Sequence, residues 1–190
     1  METLKQRILE EGIVLSDEVL LLDTLLTHQV DPQLIADIGK QFARLFGGER
    51  VTKVLTVESS GIPAAYATAF ELGVPLVFAR RKRTLTAEND EVYCERVPSF
   101  TKGIVTDILV AKQLLSPNDR VLIIDDIIAN GDAARGLVRI VRKSGAELAG
   151  FGVVVEKSFQ SGAQSLRDMG VRCESLVQIR SLSDKTVQFR

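Results

Sequence analysis

Apolar residues recur along the chain in two rhythms, one with the period of a helix and one with that of a buried strand. Leu4, Ile8 and Leu9 fall at helical spacing and Gly12 stops the run, which predicts a short helix over residues 3–11. From Gly12 to Thr27 the chain turns apolar and strand-like. Asp31-Pro32 then supplies a cap and a first-turn proline, and Leu34, Ile35, Ile38, Phe42, Leu45 and Phe46 form one stripe that ends at Gly47-Gly48.

After that helix the rhythm repeats. Val54-Leu55-Thr56-Val57 predicts a strand, the Ala-rich stretch from Pro63 to Leu72 a helix, and the run from Val74 to Ala79 a second strand. A third unit follows: an apolar run from Val121 to Asp125, a helix from Ala133 to Lys143 carrying Leu137, Val138, Ile140 and Val141, and another apolar run from Gly150 to Val155. Short apolar runs that alternate with helices are buried on both faces, so the expected class is α/β, a parallel sheet core flanked by helices. Between Arg80 and Phe100 the chain is charged and polar, and a mobile loop running into a hairpin is expected there. No repeat, low-complexity stretch or Pro- or Ser-rich linker divides the chain, so residues 1–190 are expected to form one domain.

Composition narrows the function. With 45% hydrophobic residues the chain can bury one sizeable core, and 24 Lys and Arg against 25 Asp and Glu leave a net charge of −1. No global field favours nucleic acid or an anionic membrane, so any anion site is local. Cys94 and Cys173 are the two cysteines, far apart, which suggests neither a zinc framework nor a disulfide scaffold and fits a reducing compartment. The first residues carry no apolar signal segment and no run approaches the ~18 apolar residues of a membrane span, so the expected location is cytoplasmic. His28, the sole histidine, excludes a two-histidine zinc motif and is expected to be structural, and the glycine-rich signatures of kinases, dehydrogenases and hydrolases are absent.

The candidate chemistry lies in Val121-Leu122-Ile123-Ile124-Asp125-Asp126-Ile127-Ile128-Ala129-Asn130-Gly131-Asp132-Ala133. Ligands of open parallel sheets bind beyond the carboxyl ends of strands. Adjacent carboxylates where a strand gives way to a loop can accept from a vicinal diol, and a small-residue turn into a helix can hold a phosphate on backbone N–H groups. Diol plus phosphate describes a ribose 5-phosphate. The simpler reading is a strand end followed by a helix cap.

This stretch resembles the signature of the type I phosphoribosyltransferases. The resemblance implies phosphoribosyl diphosphate as co-substrate, Asp125 and Asp126 as the catalytic acids that hold the ribose hydroxyls, and Ala129, Asn130, Gly131, Asp132 and Ala133 around the 5-phosphate. The loop departs from the commoner Ala-Thr-Gly-Gly-Thr form at Asn130, Asp132 and Ala133, and Asp132 places a like charge beside the phosphate unless it turns towards an arginine. Glu58-Ser59-Ser60-Gly61 resembles the family's diphosphate loop, although Ser59 or Ser60 could simply cap a helix. Within the basic run Arg80-Arg81-Lys82-Arg83, Arg81 and Lys82 are the residues expected to neutralise the leaving diphosphate, although most charge runs are solvated faces.

Two further stretches, Asp17 to Pro32 and Phe151 to Gln160, resemble the bacterial, xanthine-using branch of that family. This implies a small N-terminal hood built from residues 1–30 and the C-terminal segment, with Leu20, Thr27 and Lys157 at the base and Thr27 standing where Asn is expected. Lys157 could donate to a purine 6-oxo group, or form a salt bridge with a neighbouring carboxylate at a strand end. The resemblance also implies Mg²⁺ bound mainly through phosphoribosyl diphosphate, a homodimer and a place in purine salvage. The alternatives are a transferase for hypoxanthine, guanine or adenine, and a regulator that senses phosphoribosyl diphosphate on the same fold.

Overall fold

The computed structural model describes residues 1–81, 91–99 and 104–190. Lys82 and the rest of the expected mobile loop, 82–90, lie outside the described residues. Helix α1 (Glu2–Glu11) buries Leu4 and Ile8, as their spacing requires. The strand-like expectation for the next segment holds for four residues only: β1 (Ile13–Val14) pairs antiparallel with β2 (Leu20–Leu21), and Asp23–Thr27 then winds into a π-helical turn. Leu22, Leu25 and Leu26 are all buried, and spacings of three and four reach one face only if the backbone coils. Helix α2 (Pro32–Phe46) begins where the Asp31 side chain accepts from the Leu34 N–H at 2.9 Å, with Pro32 in the first turn.

The remaining elements are β3 (Lys53–Val57), α3 (Ile62–Leu72), β4 (Leu76–Ala79), β5 (Val92–Ser99), β6 (Ile104–Ala111), β7 (Arg120–Ile128), α4 (Asp132–Ser144), β8 (Glu147–Lys157), α5 (Gly162–Asp168), β9 (Cys173–Ser181) and β10 (Gln188–Phe189). Six strands form one sheet in the order β10-β9-β8-β7-β3-β4, parallel except for β10. The expected hairpin is β5 paired antiparallel with β6, joined to the end of β4 by a bridge between Arg80 and Leu109.

Alternate residues of β7 serve opposite faces. Leu122 and Ile124 join the core beneath α1, α2 and α3, whereas Val121 and Ile123 join the core that holds α4, α5 and the hairpin. Both faces are therefore apolar, which explains the unbroken apolar run. From β3 the chain crosses through α3 to β4 on one side, and from β7 through α4 to β8 on the other. The strand order thus reverses between β3 and β7, and a crevice opens at that point beyond their carboxyl ends. Among the described residues, no helix is long and apolar enough to cross a membrane.

Candidate active site

The crevice exists because β7 outruns β3. Strand β7 pairs with β3 only across Val121, Leu122 and Ile123, but with β8 as far as Ile128 opposite Glu156. Asp125 and Asp126 lie in the overrun, each 7% exposed. The acidic pair was expected where the strand gives way to a loop. Instead the strand continues through Ile128, because the β8 side of the ladder still supports it. The Asp126 N–H donates to Asp125 Oδ1 at 3.0 Å. Burial, and then the neighbouring Asp126 charge, push the Asp125 carboxyl well above the usual carboxylate range, while the Arg81 charge opposes the shift.

Gly61 closes the β3 side of the crevice. A Cβ there would lie 2.7 Å from Asp125 Oδ1 and 2.5 Å from Thr56 Oγ1, so only glycine lets the loop after β3 approach the acid this closely. Among the described residues, Thr56 Oγ1 is buried there without a hydrogen-bond partner. Neither Ser59 nor Ser60 caps α3: the cap position is Gly61 and no side chain caps that end. In the first turn the Ile62 N–H donates to the Ser59 carbonyl at 3.1 Å and Pro63 carries no N–H. Glu58 organises the two arginines after β4, its carboxylate taking Arg80 Nε at 2.9 Å and the Arg81 backbone N–H at 2.5 Å, while its carbonyl takes Arg81 Nε at 3.1 Å.

The loop after β7 is braced from outside. Gly131 adopts φ +79° and is the cap position of α4, again with no side-chain cap. Asp132 does turn towards an arginine, as its charge requires: Arg135 Nη2 donates to Asp132 Oδ1 at 2.6 Å. Arg135 Nη1 also donates to the Asn130 carbonyl and to Ser165 Oγ, each at 2.8 Å. From the other side Gly162 presses on the loop, its N–H donating to the Ala129 carbonyl at 3.0 Å, and a Cβ at Gly162 would meet that oxygen at 2.4 Å.

The remaining part of the crevice is lined by the β1–β2 hairpin and the end of β8. Lys157 is 9% exposed, and its Nζ donates to the Glu18 carbonyl at 2.6 Å. Burial lowers its pKa, and Glu18 counters only in part. The salt-bridge reading of Lys157 is not what the structure contains. The adjacent carboxylate, Glu156, is taken by Arg167 at 2.8 and 3.2 Å and by the Ser175 hydroxyl, and among the described residues Lys157 pairs with no acid.

One cleft of about 660 Å³ gathers most of the expected residues: Leu20 and Lys157 at one end, Arg81 and Asp125 along the wall, and Ala129, Asn130, Gly131, Asp132 and Ala133 at the other end. Gly61 adjoins it through its contact with Asp125. Asp126, Ser59, Ser60 and Thr27 are not brought to the lining, and the Thr27 hydroxyl donates to Asp23 Oδ1 at 2.7 Å within the π-helical turn. Arg135, Gly162 and Gln160 escaped the sequence reading. Arg135 sits at i+3 from Asp132 on a predicted helix, a spacing that could have signalled it. Gln160 and Gly162 lie beyond β8, and only the fold brings Gln160 to the cleft and Gly162 against the 129–133 loop.

Comparison with known proteins places the chain among relatives. Residues 22–180 match the family model described as phosphoribosyl transferase domain. A xanthine phosphoribosyltransferase from Moorella thermoacetica is 53% identical over 189 residues, covering 100% of this chain and 96% of that one. Its counterpart from Stutzerimonas stutzeri is 51% identical, covering 100% and 99%. The crystal structure of adenine phosphoribosyltransferase from Rhodothermus marinus superimposes with a TM-score of 0.69 at 27% identity, covering 78% of this chain and 81% of that one.

Proposed function

The chain belongs to the phosphoribosyltransferase family, and from that premise we propose that it transfers the 5-phosphoribosyl group of phosphoribosyl diphosphate to N9 of xanthine. The products are xanthosine 5′-monophosphate and diphosphate, a purine-salvage reaction. The observation that carries this reading is the single cleft joining Lys157 and Leu20 to Asp125 and the 129–133 loop. The relatives' substrate supports the choice of base.

In this reading Asp125 and Asp126 accept hydrogen bonds from the ribose hydroxyls and fix the sugar. Backbone N–H groups of residues 129–133 and the start of α4 hold the 5-phosphate, and the Arg135 charge offsets Asp132 beside it. The uncapped start of α3 at Ser59, Ser60 and Gly61, with Arg81, receives the diphosphate. Lys157 donates to the 6-oxo group, a contact that disfavours adenine, whose 6-amino group is itself a donor. As the C1–diphosphate bond breaks, the electron pair leaves with the diphosphate, positive charge develops at C1, and N9 attacks the opposite face, the imidazole-ring proton of xanthine passing to solvent. Positioning and electrostatics supply most of the rate.

Among the described residues no group of three or more His, Cys, Asp or Glu is placed to hold a metal ion. In this reading Mg²⁺ is carried mainly by the oxygens of phosphoribosyl diphosphate, and of the carboxylate residues lining the cleft, Glu18, Asp125 and Asp132, the last is paired with Arg135. Bound so, the ion would neutralise the departing diphosphate. The reading includes a cytoplasmic site of action, supported by a composition with two widely spaced cysteines. It also includes a homodimer. Tyr66 and Phe70 stack on the outer face of α3, 61% and 72% exposed, Phe78 on edge strand β4 is exposed as well, and a second copy of the chain would cover the α3 pair. Light scattering should give twice the chain mass for the native protein and the single mass for Phe70→Glu. A native monomer would remove the dimer from the proposal.

The test of the function is nucleotide formation from phosphoribosyl diphosphate and Mg²⁺ with xanthine, hypoxanthine, guanine and adenine in parallel. Preference for xanthine is expected. Preference for another base would keep the transferase and discard the choice of base, and binding without turnover would favour a sensor.

A further inference from the structure

The β5–β6 hairpin is not part of the six-stranded sheet. An isolated bridge between Arg80 and Leu109 links it to the end of β4, and a two-stranded hairpin by itself is at best marginally stable. Yet Val97 and Pro98 of β5 line the cleft, so the hairpin must be held in place. Helix α4 holds it. At Gly136 a Cβ would lie 2.7 Å from Val97 Cγ1 and 2.9 Å from Ile108 Cδ1, so the hairpin sits directly on the helix backbone. Glu95, two residues before Val97 and therefore on the same face of β5, is buried. Its carboxylate takes Arg139 Nε and Lys143 Nζ, each at 2.6 Å, and Lys143 Nζ also reaches the Cys94 carbonyl at 3.3 Å. Burial acts to raise the Glu95 pKa, but the hydrogen bonds from Lys143 and Arg139 outweigh it and hold the carboxyl below the usual carboxylate range.

A well-packed apolar side chain at residue 95 would keep the hairpin on the helix about as firmly, so what the charged cluster adds is placement. Gly136, Arg139 and Lys143 are spaced three and four residues apart on one stripe of α4, and a carboxylate gripped by the last two stops β5 at one point along it. The consequence runs across the hairpin. Val97 is paired with Thr106, and Thr106 Oγ1 accepts from Arg81 Nη1 at 3.4 Å. Arg81 is the cleft-lining arginine assigned above to the diphosphate, and α4 begins at the loop assigned to the 5-phosphate. Resting on the function proposed above, we infer that Glu95 is a positioning residue for the diphosphate: by pinning β5 to α4 it sets the Val97–Thr106 rung, and through Thr106 the Arg81 guanidinium, at a fixed distance from the phosphate loop that heads the same helix.

The test compares the wild type with Glu95→Gln, Arg81→Met, the double variant and Thr106→Val. Binding of phosphoribosyl diphosphate with Mg²⁺, measured by calorimetry, should weaken about tenfold in Glu95→Gln, whereas binding of ribose 5-phosphate, which lacks the diphosphate, should be unchanged. The KM for phosphoribosyl diphosphate should rise by a similar factor, with the ratios among bases as in the wild type. Because Glu95 acts through Arg81, its substitution should cost less than about twofold more in the Arg81→Met background. Thr106→Val leaves the clamp intact and cuts the link to Arg81, so it should reproduce the selective loss even where Glu95→Gln melts too low to assay.

Equal weakening of both ligands, additive losses in the double variant, or unaltered diphosphate binding in Thr106→Val would overturn this inference and leave the function reading in place. A wild type that forms no nucleotide from phosphoribosyl diphosphate with any purine base would overturn the two together.

Discussion

The two ends of the cleft are finished to different degrees. At the 129–133 end the protein satisfies itself: Arg135 answers Asp132, the Asn130 carbonyl and Ser165, and Gly162 packs against the loop and donates to it. At the Lys157 end that lysine rests on a backbone carbonyl, the Gln160 oxygen has no partner among the described residues, and Thr27 bonds within its own turn. A braced loop suits an invariant group such as a phosphate, because its geometry is fixed before the ligand arrives. Open valences suit a group that must be discriminated, because a wrong ligand then leaves buried polar atoms unpaired.

The comparison breaks most sharply at the acids between the two ends. Asp126→Asn should lower kcat/KM about 10³-fold for every base alike while the fold is preserved, since both ends depend on the ribose being held. Normal turnover in the folded variant would remove Asp126 from the mechanism. Lys157→Ala should cost about 100-fold in kcat/KM for xanthine and erode base selection with little change in the KM for phosphoribosyl diphosphate. A rise confined to the latter constant would mean that the two ends have been assigned the wrong way round.

Arg135→Met should do the reverse, raising the KM for phosphoribosyl diphosphate about tenfold and leaving the ratios among bases intact. Adding Asp132→Asn should recover part of that loss, because the uncompensated carboxylate goes with it. No recovery in the double variant would leave Arg135 with packing alone. The smallest effect concerns stability. The native Asp125 carboxyl ionises above the ~3.9 of an unfolded chain, so between the two values the folded protein holds the extra proton, and stability falls as pH climbs through the raised value. Asp125→Asn should therefore melt about 3 °C higher than the wild type at neutral pH while losing activity, and should flatten the pH dependence of melting. An unchanged or lower melting temperature would contradict the burial account of that carboxyl.

The same contrast explains what could be read from residues alone. Strands β3, β4, β7 and β8 announced themselves by their apolar runs, whereas parallel strand β9, only partly buried along most of its length, did not; the 121–133 stretch carried acids, turn and helix start in one contiguous piece. Legibility failed where the partner is distant in sequence. Nothing in the run from Val121 to Asp126 says that β3 stops pairing at Ile123, which is what buries the acids inside a strand. Nothing near Ala129 says that Gly162 will press on it. The Gly12 to Thr27 segment was misread in part because Leu20, Leu21 and Leu22 suit a strand while Leu22, Leu25 and Leu26 suit a coil, and burial of the latter three decided it.

The overrun of β7 along β8 also works as a ruler. Asp125 stands opposite Val153, and Lys157 lies four residues further along β8, about 13 Å at the ~3.3 Å rise of a parallel strand. The interval from Asp125 to Lys157 is therefore graduated in whole peptide units along paired strands. Inserting or deleting one residue between Val153 and Lys157 would do more than displace the lysine by one graduation, because odd steps carry a side chain to the opposite face of the sheet. Changes in reach along this axis can come only in pairs of residues, a coarse increment that leaves side-chain exchange at the existing positions as the practical route to a different base.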